Sequence, residues 1–143
     1  MPEADNQAIL IHFIEQIWNQ GNFDDVESVV APRYTIHRDP GDPWEGQTLD
    51  RETFKKRVLY SRTAFPDLRF IIEEVVAAAG KVAIGWYFTG THRGDLPGVP
   101  ASGQKINMPG LTIYYFNQGQ ISGHWQVIDR LGFLAQVGLL GNL

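Results

Sequence analysis

LTIYYFNQGQISGHWQVID, residues 111–129, holds two runs of alternating side chains around Asn117-Gln118-Gly119-Gln120. A period of two on both sides of a short glycine-bearing turn predicts an antiparallel hairpin. Working back from it, QKINMPG (104–110) extends the first strand, and Pro109-Gly110 predicts a bulge or bend, because proline cannot donate to the ladder. VAIGWYFTGTH (82–92) and LRFIIEEVVAAAG (68–80) read as two more strands, broken by a turn at Gly80-Lys81. RGDLPGVPASG (93–103) is a loop by composition. Forward of the hairpin, RLGFLAQVG (130–138) is a short closing helix.

The N-terminal half has a different period. Leu10, Phe13, Ile14, Ile17 and Trp18 lie on one face of a helix that Gly21 stops. FDDVESVV (23–30) is a short second helix closed by Pro32, and RYTIHRDP (33–40) an early strand. PGDPWEGQ (40–47) is a loop, and a third helix runs over 50–65 with Asp50 as N-cap and Phe54, Val58 and Phe65 inward. Helices with one early strand, then long strands joined by turns, predict an α+β protein with one mainly antiparallel sheet. The helices can cover one face only. The other is expected to meet solvent or a second copy, which favours a homodimer or higher homo-oligomer.

The 143 residues fit one domain, 1–143, with 43% hydrophobic and 20% charged side chains, the balance of a soluble globular protein. The net charge of −4 and the lack of a basic cluster beyond Lys55-Lys56-Arg57, expected on a solvent face, argue against nucleic acid. Without cysteine there is no disulfide, thiolate nucleophile or Cys-based metal site. The polar start MPEADNQ is unlike a secretory signal and no apolar run reaches membrane-span length, so a cytoplasmic location without membrane contact is expected. Glycine-rich phosphate loops, G-x-S-x-G and H-E-x-x-H are missing from the sequence.

Asp129 is the first candidate for chemistry. Trp125, Val127 and Asp129 share one face of the last strand, and His124, Gln126 and Ile128 the other. With the Trp125 face inward, Asp129 would be desolvated, and burial would raise its pKa toward that of a useful base. The competing reading has it cap the helix from Arg130, or pair with Arg130. His92, on a face with Ile84, Trp86, Phe88 and Gly90, could donate to a developing enolate oxygen, or simply bond a loop. His37 lies between Thr35 and Asp39; the His37/Asp39 pair lacks a third ligand, so no metal is expected. His124 is expected to meet a partner or solvent. Trp44, Trp86, Phe88, Trp125 and Tyr34 would suit a pocket for a flat, apolar, ring-containing ligand, and equally an ordinary core.

YTIHRDP, FPDLRFIIEEVV, GWYFTGTHRGDLPGVPASGQKI, FNQGQI and HWQVIDRLGFLAQVG, in that order, resemble the SnoaL-like polyketide cyclases, or ester cyclases, of the NTF2-like superfamily. The resemblance covers nearly the whole chain. It implies a cone-shaped α+β barrel, N-terminal helices packed on a strongly curved sheet around a deep cavity, and dimers or larger assemblies. It also implies ring closure by intramolecular aldol condensation without metal or cofactor. On this resemblance the acid/base is Asp129, with His37 and His92 lining the same cavity and a polyketide-like ligand bound there. The chain departs from the family pattern at three places. Gly85 stands where an arginine is frequent, Gly123 where a glutamate is frequent, and Gly119-Gln120-Ile121 replaces Gly-Lys-Ile.

Three functional readings follow. The first is a cofactor-free cyclase or isomerase working through an enol. The second is a related epoxide or lactone hydrolase; such sites in the superfamily hold a further aspartate and an arginine, which Gly85 disfavours. The third is a non-catalytic small-molecule binder.

Overall fold

A computed structural model describes residues 3–140. The elements run α1 (Glu3–His12), continued by a π-helical turn (Phe13–Trp18), α2 (Val26–Val29), β1 (Val30–Arg38), β2 (Thr48–Leu49), α3 (Arg51–Ala64), β3 (Arg69–Ala78), β4 (Lys81–Thr91), β5 (Lys105–Asn117), β6 (Gln120–Ile128) and α4 (Arg130–Gln136). The six strands form one sheet in the order β2-β1-β6-β5-β4-β3. β3 to β6 form an antiparallel meander, β2 is antiparallel to β1, and β1 lies parallel to β6. The hairpin about Asn117–Gln120 forms as its period predicts, with Asn117 opposite Gln120 and Leu111 opposite Val127.

The α+β class holds, but the cone-shaped barrel does not. The strand order is linear, and β2 and β3 are its two edges. Closure would need those edges to pair, with the tilt and stagger that a barrel imposes. The two-residue β2 ends the sheet on one side instead, so the helices cover one face of an open, mixed sheet.

Local chemistry accounts for the elements. Asp50 caps α3, its carboxylate accepting from the Thr53 N–H at 2.8 Å. The π-helical turn, with the Asn19 N–H bonded to the Ile14 carbonyl, keeps Phe13, Ile14, Ile17 and Trp18 all buried. Pro32 lies inside β1 rather than ending α2, within a stretch of irregular register between Val30 and Thr35. The missing proline N–H suits such a stretch. No bulge occurs at Pro109-Gly110, where pairing with β4 runs unbroken. Gly110 is required for a different reason, since the Trp86 ring occupies the place of its missing Cβ. Gly123 is required too. The Thr35 carbonyl of the parallel neighbour stands where a Cβ would go, so the glutamate frequent at this place in the family has no room.

The inward face of the sheet carries Val82, Ile84, Trp86 and Phe88 from β4 and Ile106, Met108, Thr112 and Tyr114 from β5, packed on Phe13, Ile17, Phe54 and Val58 from the helices. The opposite face carries Ile71, Tyr87, Leu111, Ile113, Trp125 and Val127, with Ile71 41%, Leu111 48% and Val127 40% exposed.

Candidate functional site

β6 turns the opposite way from the sequence expectation. His124 is buried, and Gln126 and Ile128 line a cavity with it. Trp125 and Val127 face outward. Asp129 is exposed, and its carboxylate accepts from the Gly132 N–H at 2.9 Å as the N-cap of α4. It is neither desolvated nor part of the cavity lining. Arg130, its neighbour, donates to the Pro40 carbonyl at 3.0 Å.

The cavity lies between the sheet and the helices, with a volume of about 180 Å³. Its apolar walls include Ile14, Phe65, Phe70, Ile84, Trp86 and Phe88. It reaches the surface at Gly41, Pro43, Pro97 and Arg130, the exposed members of its lining.

Its polar floor is built from residues distant in sequence. Asp39 follows β1 and is 3% exposed. The register between β1 and β6 shifts between Ile36 and Arg38, so the strict alternation is lost. Asp39 therefore turns inward with Tyr34 and Ile36, while His37 stays exposed and stacks on Tyr115 at 4.5 Å. The Asp39 Oδ2 accepts from His124 Nε2 at 2.8 Å, Arg57 Nη2 at 3.1 Å and Gln126 Nε2 at 3.1 Å. No hydrogen bond reaches Oδ1 from the described residues. Arg57 also donates to Asp42 Oδ2 through Nη2 at 2.9 Å and Nε at 3.1 Å. The chain extends through Gln126 to Thr112, whose hydroxyl donates to Oε1 at 2.6 Å and accepts from Trp86 Nε1 at 2.8 Å.

These partners fix protons. With Nε2 of His124 donating to a carboxylate, Nδ1 is the acceptor for the Tyr34 hydroxyl at 2.5 Å. Burial lowers the His124 pKa, and this outweighs the hydrogen bond to Asp39 that favours the charged form. The contact is thus a neutral imidazole donating to a carboxylate, not an ion pair. Burial, with the Tyr114 hydroxyl beside it, raises the Tyr34 pKa, so Tyr34 keeps its proton. Burial works against the Arg57 charge, but Asp42 and Asp39 prevail and raise its pKa.

The remaining expected site residues are dispersed. Trp86 and Phe88 line the cavity, and Tyr34 lies beneath it, reaching it through His124. Trp44 packs edge-on against Tyr60 at 5.3 Å and is not in the lining. His92 is buried beside Phe65 and Phe133, its Nδ1 accepting from the Ser102 N–H at 3.2 Å. The lining does not include His92, His37, Trp125 or Asp129. Asp39, Asp42, Arg57 and Gln126 went unrecognised in the sequence. Arg57 offered a signal, being three residues after the inward Phe54 and one before the inward Val58, so that it shares their stripe and is 5% exposed. An arginine so placed needs buried carboxylates, and Asp39 and Asp42 stand in the segment between β1 and β2.

A helix-covered sheet enclosing an apolar cavity with a buried Asp–His–Tyr and Asp–Arg–Asp floor defines a small-ligand pocket of the α+β class. The chain belongs to the SnoaL-like polyketide cyclase family, whose family model matches residues 8–137. It is similar to a solved candidate polyketide cyclase from Acidithiobacillus ferrooxidans, with 43% identity, 93% of this chain and 94% of that chain covered, and a TM-score of 0.85. It is also similar to IdmH of Streptomyces antibioticus, at 26% identity, with coverage of 93% and 98% and a TM-score of 0.76. TsrD of Streptomyces laurentii shares the fold at 24% identity, with coverage of 97% and 98% and a TM-score of 0.81. No match to the chain is found among curated proteins.

Proposed function

We propose that this chain is a cyclase-type enzyme acting on a β-dicarbonyl or polyketide-like substrate by cofactor-free enol chemistry, with Asp39 as the base. The observation that carries this reading is the Asp39 carboxylate. It is buried at the floor of an apolar cavity, with Oδ2 held by three donors and Oδ1 free of donors among the described residues. Oδ1 takes a proton from the carbon between two carbonyls. The resulting carbanion attacks a ketone of the same molecule, a C–C bond forms, and the proton returns from Asp39 to the new alkoxide. His124 has both nitrogens engaged, so it is a positioning residue that orients Asp39. Asp42 and Arg57 hold the other side. The walls exclude water and fold the substrate, which supplies orientation. A cavity of about 180 Å³ is a little larger than the ~150 Å³ that accommodates benzene in an engineered cavity. One ring with a dicarbonyl arm suits it.

The test is exchange of the acidic α-hydrogen of 1-phenylbutane-1,3-dione in D₂O, read by NMR. The wild type is expected to accelerate exchange, and Asp39→Asn to lose on the order of 100-fold or more of that acceleration. Equal rates in the two proteins would sink the reading.

One observation favours the hydrolase reading as a second. Arg57 joins two carboxylates, Asp39 and Asp42, and so supplies the further aspartate and arginine from the loop and α3. Gly85, opposite Glu74 and Leu111, belongs to the outer face, so an arginine there would not enter the cavity. Incorporation of oxygen-18 from water into a diol made from styrene oxide distinguishes this reading from the first. We also propose a homodimer through the outer face of the sheet, where its exposed apolar residues lie.

A further inference from the structure

One line of hydrogen bonds in the cavity runs in a single direction. The Trp86 indole can only donate, and it donates to the Thr112 hydroxyl at 2.8 Å. Thr112 passes its own proton to Gln126 Oε1 at 2.6 Å. The Asp39 carboxylate can only accept, so the Gln126 amide presents Nε2 to its Oδ2, at 3.1 Å. The amide is thereby fixed at both ends. Each bond in such a chain polarises the next, which strengthens the donor at its end.

An amide nitrogen carries two hydrogens, and Asp39 takes one of them. The second has no acceptor among the described residues. Gln126 lines the cavity and is only partly buried, whereas Asp39 and His124 beside it are 3% and 2% exposed. An enolate oxygen lies two bonds from the carbon that loses the proton, so its donor has to stand beside the base. Nε2 meets that condition, being bonded to the carboxylate itself.

Charge decides when the donor is used. Asp39 and Asp42 face one guanidinium, Arg57, and His124 is neutral. The floor therefore carries one formal negative charge. Proton transfer from a carbon acid to Asp39 moves that charge onto the substrate oxygen and leaves the sum unchanged. An anion that arrives while Asp39 is ionised would add a second charge in an apolar surround, where like charges repel strongly.

We propose that Gln126 is a catalytic residue whose second Nε2 hydrogen bonds the enolate oxygen, and that the floor accepts an oxyanion only when Asp39 is neutral. This rests on Asp39 as the base for its place in a reaction, but it is read by binding alone. Asp39→Asn holds the charge that the floor has after the proton has moved, and it removes the group that Gln126 positions. A change at Gln126 in that background reports its contact with the ligand and not its hold on Asp39.

The probes are para-nitrophenolate, a flat ring bearing an oxyanion, and nitrobenzene, the same ring without it. By calorimetric titration, Asp39→Asn is expected to bind the phenolate about tenfold or more tighter than the wild type. Adding Gln126→Met, an unbranched side chain without a donor, is expected to cost about tenfold of that affinity and leave nitrobenzene unchanged. Gln126→Glu in the same background keeps the Oε1 that bonds Thr112 and is expected to lose at least as much. In Asp39→Asn the Gln126 side-chain ¹⁵N–¹H resonance should move with the phenolate and not with nitrobenzene. Three results would each overturn the proposal: a wild type that binds the phenolate as tightly as Asp39→Asn, no measurable phenolate binding by Asp39→Asn, or equal phenolate affinity with and without the Gln126 amide. The catalytic reading fails separately. If phenolate affinity depends on Gln126 while the wild type exchanges no α-hydrogen, Asp39 is not the base and Gln126 stands as an oxyanion donor alone.

Discussion

Asp39 and Asp129 both follow a strand, and the donors at their oxygens separate them. Asp129 takes the Gly132 amide at the exposed start of α4. Asp39 takes an imidazole, a guanidinium and an amide at the bottom of a cavity. Asp129→Ala should therefore cost about 1 kcal/mol, the usual value of a lost cap. A melting temperature lower by about 3–5 °C is expected by calorimetry, with exchange activity within twofold of the wild type. Loss of exchange in a folded Asp129→Ala protein would return the catalytic role to Asp129. Spacing in the sequence could not settle the role of Asp129, because an aspartate before a helix reads the same whether it caps or catalyses. Arg57 was the legible clue. A charge on an inward helical stripe marks a buried polar cluster before any carboxylate is assigned to it.

Strand existence and pairing were legible in β3 to β6, because period two and glycine-bearing turns act locally. The choice of face was not. Trp125 and Val127 are the more apolar set on β6, yet His124, Gln126 and Ile128 face inward because the floor satisfies their polar atoms. One register shift between Ile36 and Arg38 likewise separates His37 from Asp39. A slip of one residue moves every following side chain to the other face, and no local pattern announces it. The apolar set left outside gives the proposed self-association its surface. Leu111, 48% exposed and opposite Val127, sits within it. Light scattering is expected to show a dimer for the wild type and a monomer for Leu111→Lys. A dimeric Leu111→Lys protein would place the contact elsewhere.

Stability of the whole molecule should carry the signature of its buried imidazole. His124 has its pKa lowered from 6.5 in the folded state. As pH falls below about 6.5, the unfolded chain takes up a proton that the native state refuses, so stability falls through that window. The contribution is complete above 6.5 and is lost toward the lowered folded value. Asp67 and Asp50, whose pKa values are lowered from 3.8, act only at more acid pH. The urea midpoint of the wild type should decline between about pH 7.5 and 5.5, and His124→Gln should flatten that decline. A wild-type midpoint constant over that range would contradict the neutral buried imidazole. At this scale the α+β class and the order of elements were legible, while the open edge was not, because the barrel came from resemblance rather than from residues.

The parallel pairing of β1 with β6 also bears on how the chain comes together. β3, β4 and β5 are joined by hairpins whose contacts are local, and such contacts form early. Asp39 and His124 are 85 residues apart, and Tyr34 and His124 are 90 apart. On a ribosome the first of each pair emerges long before the second. A nascent chain that has not yet reached residue 120 can close its hairpins and gather its helices, but Tyr34, Asp39 and Arg57 then wait without the strand that joins them. Assembly of the polar floor thus waits for the last strand to be synthesised, and its hydrogen bonds to His124 close as one late event.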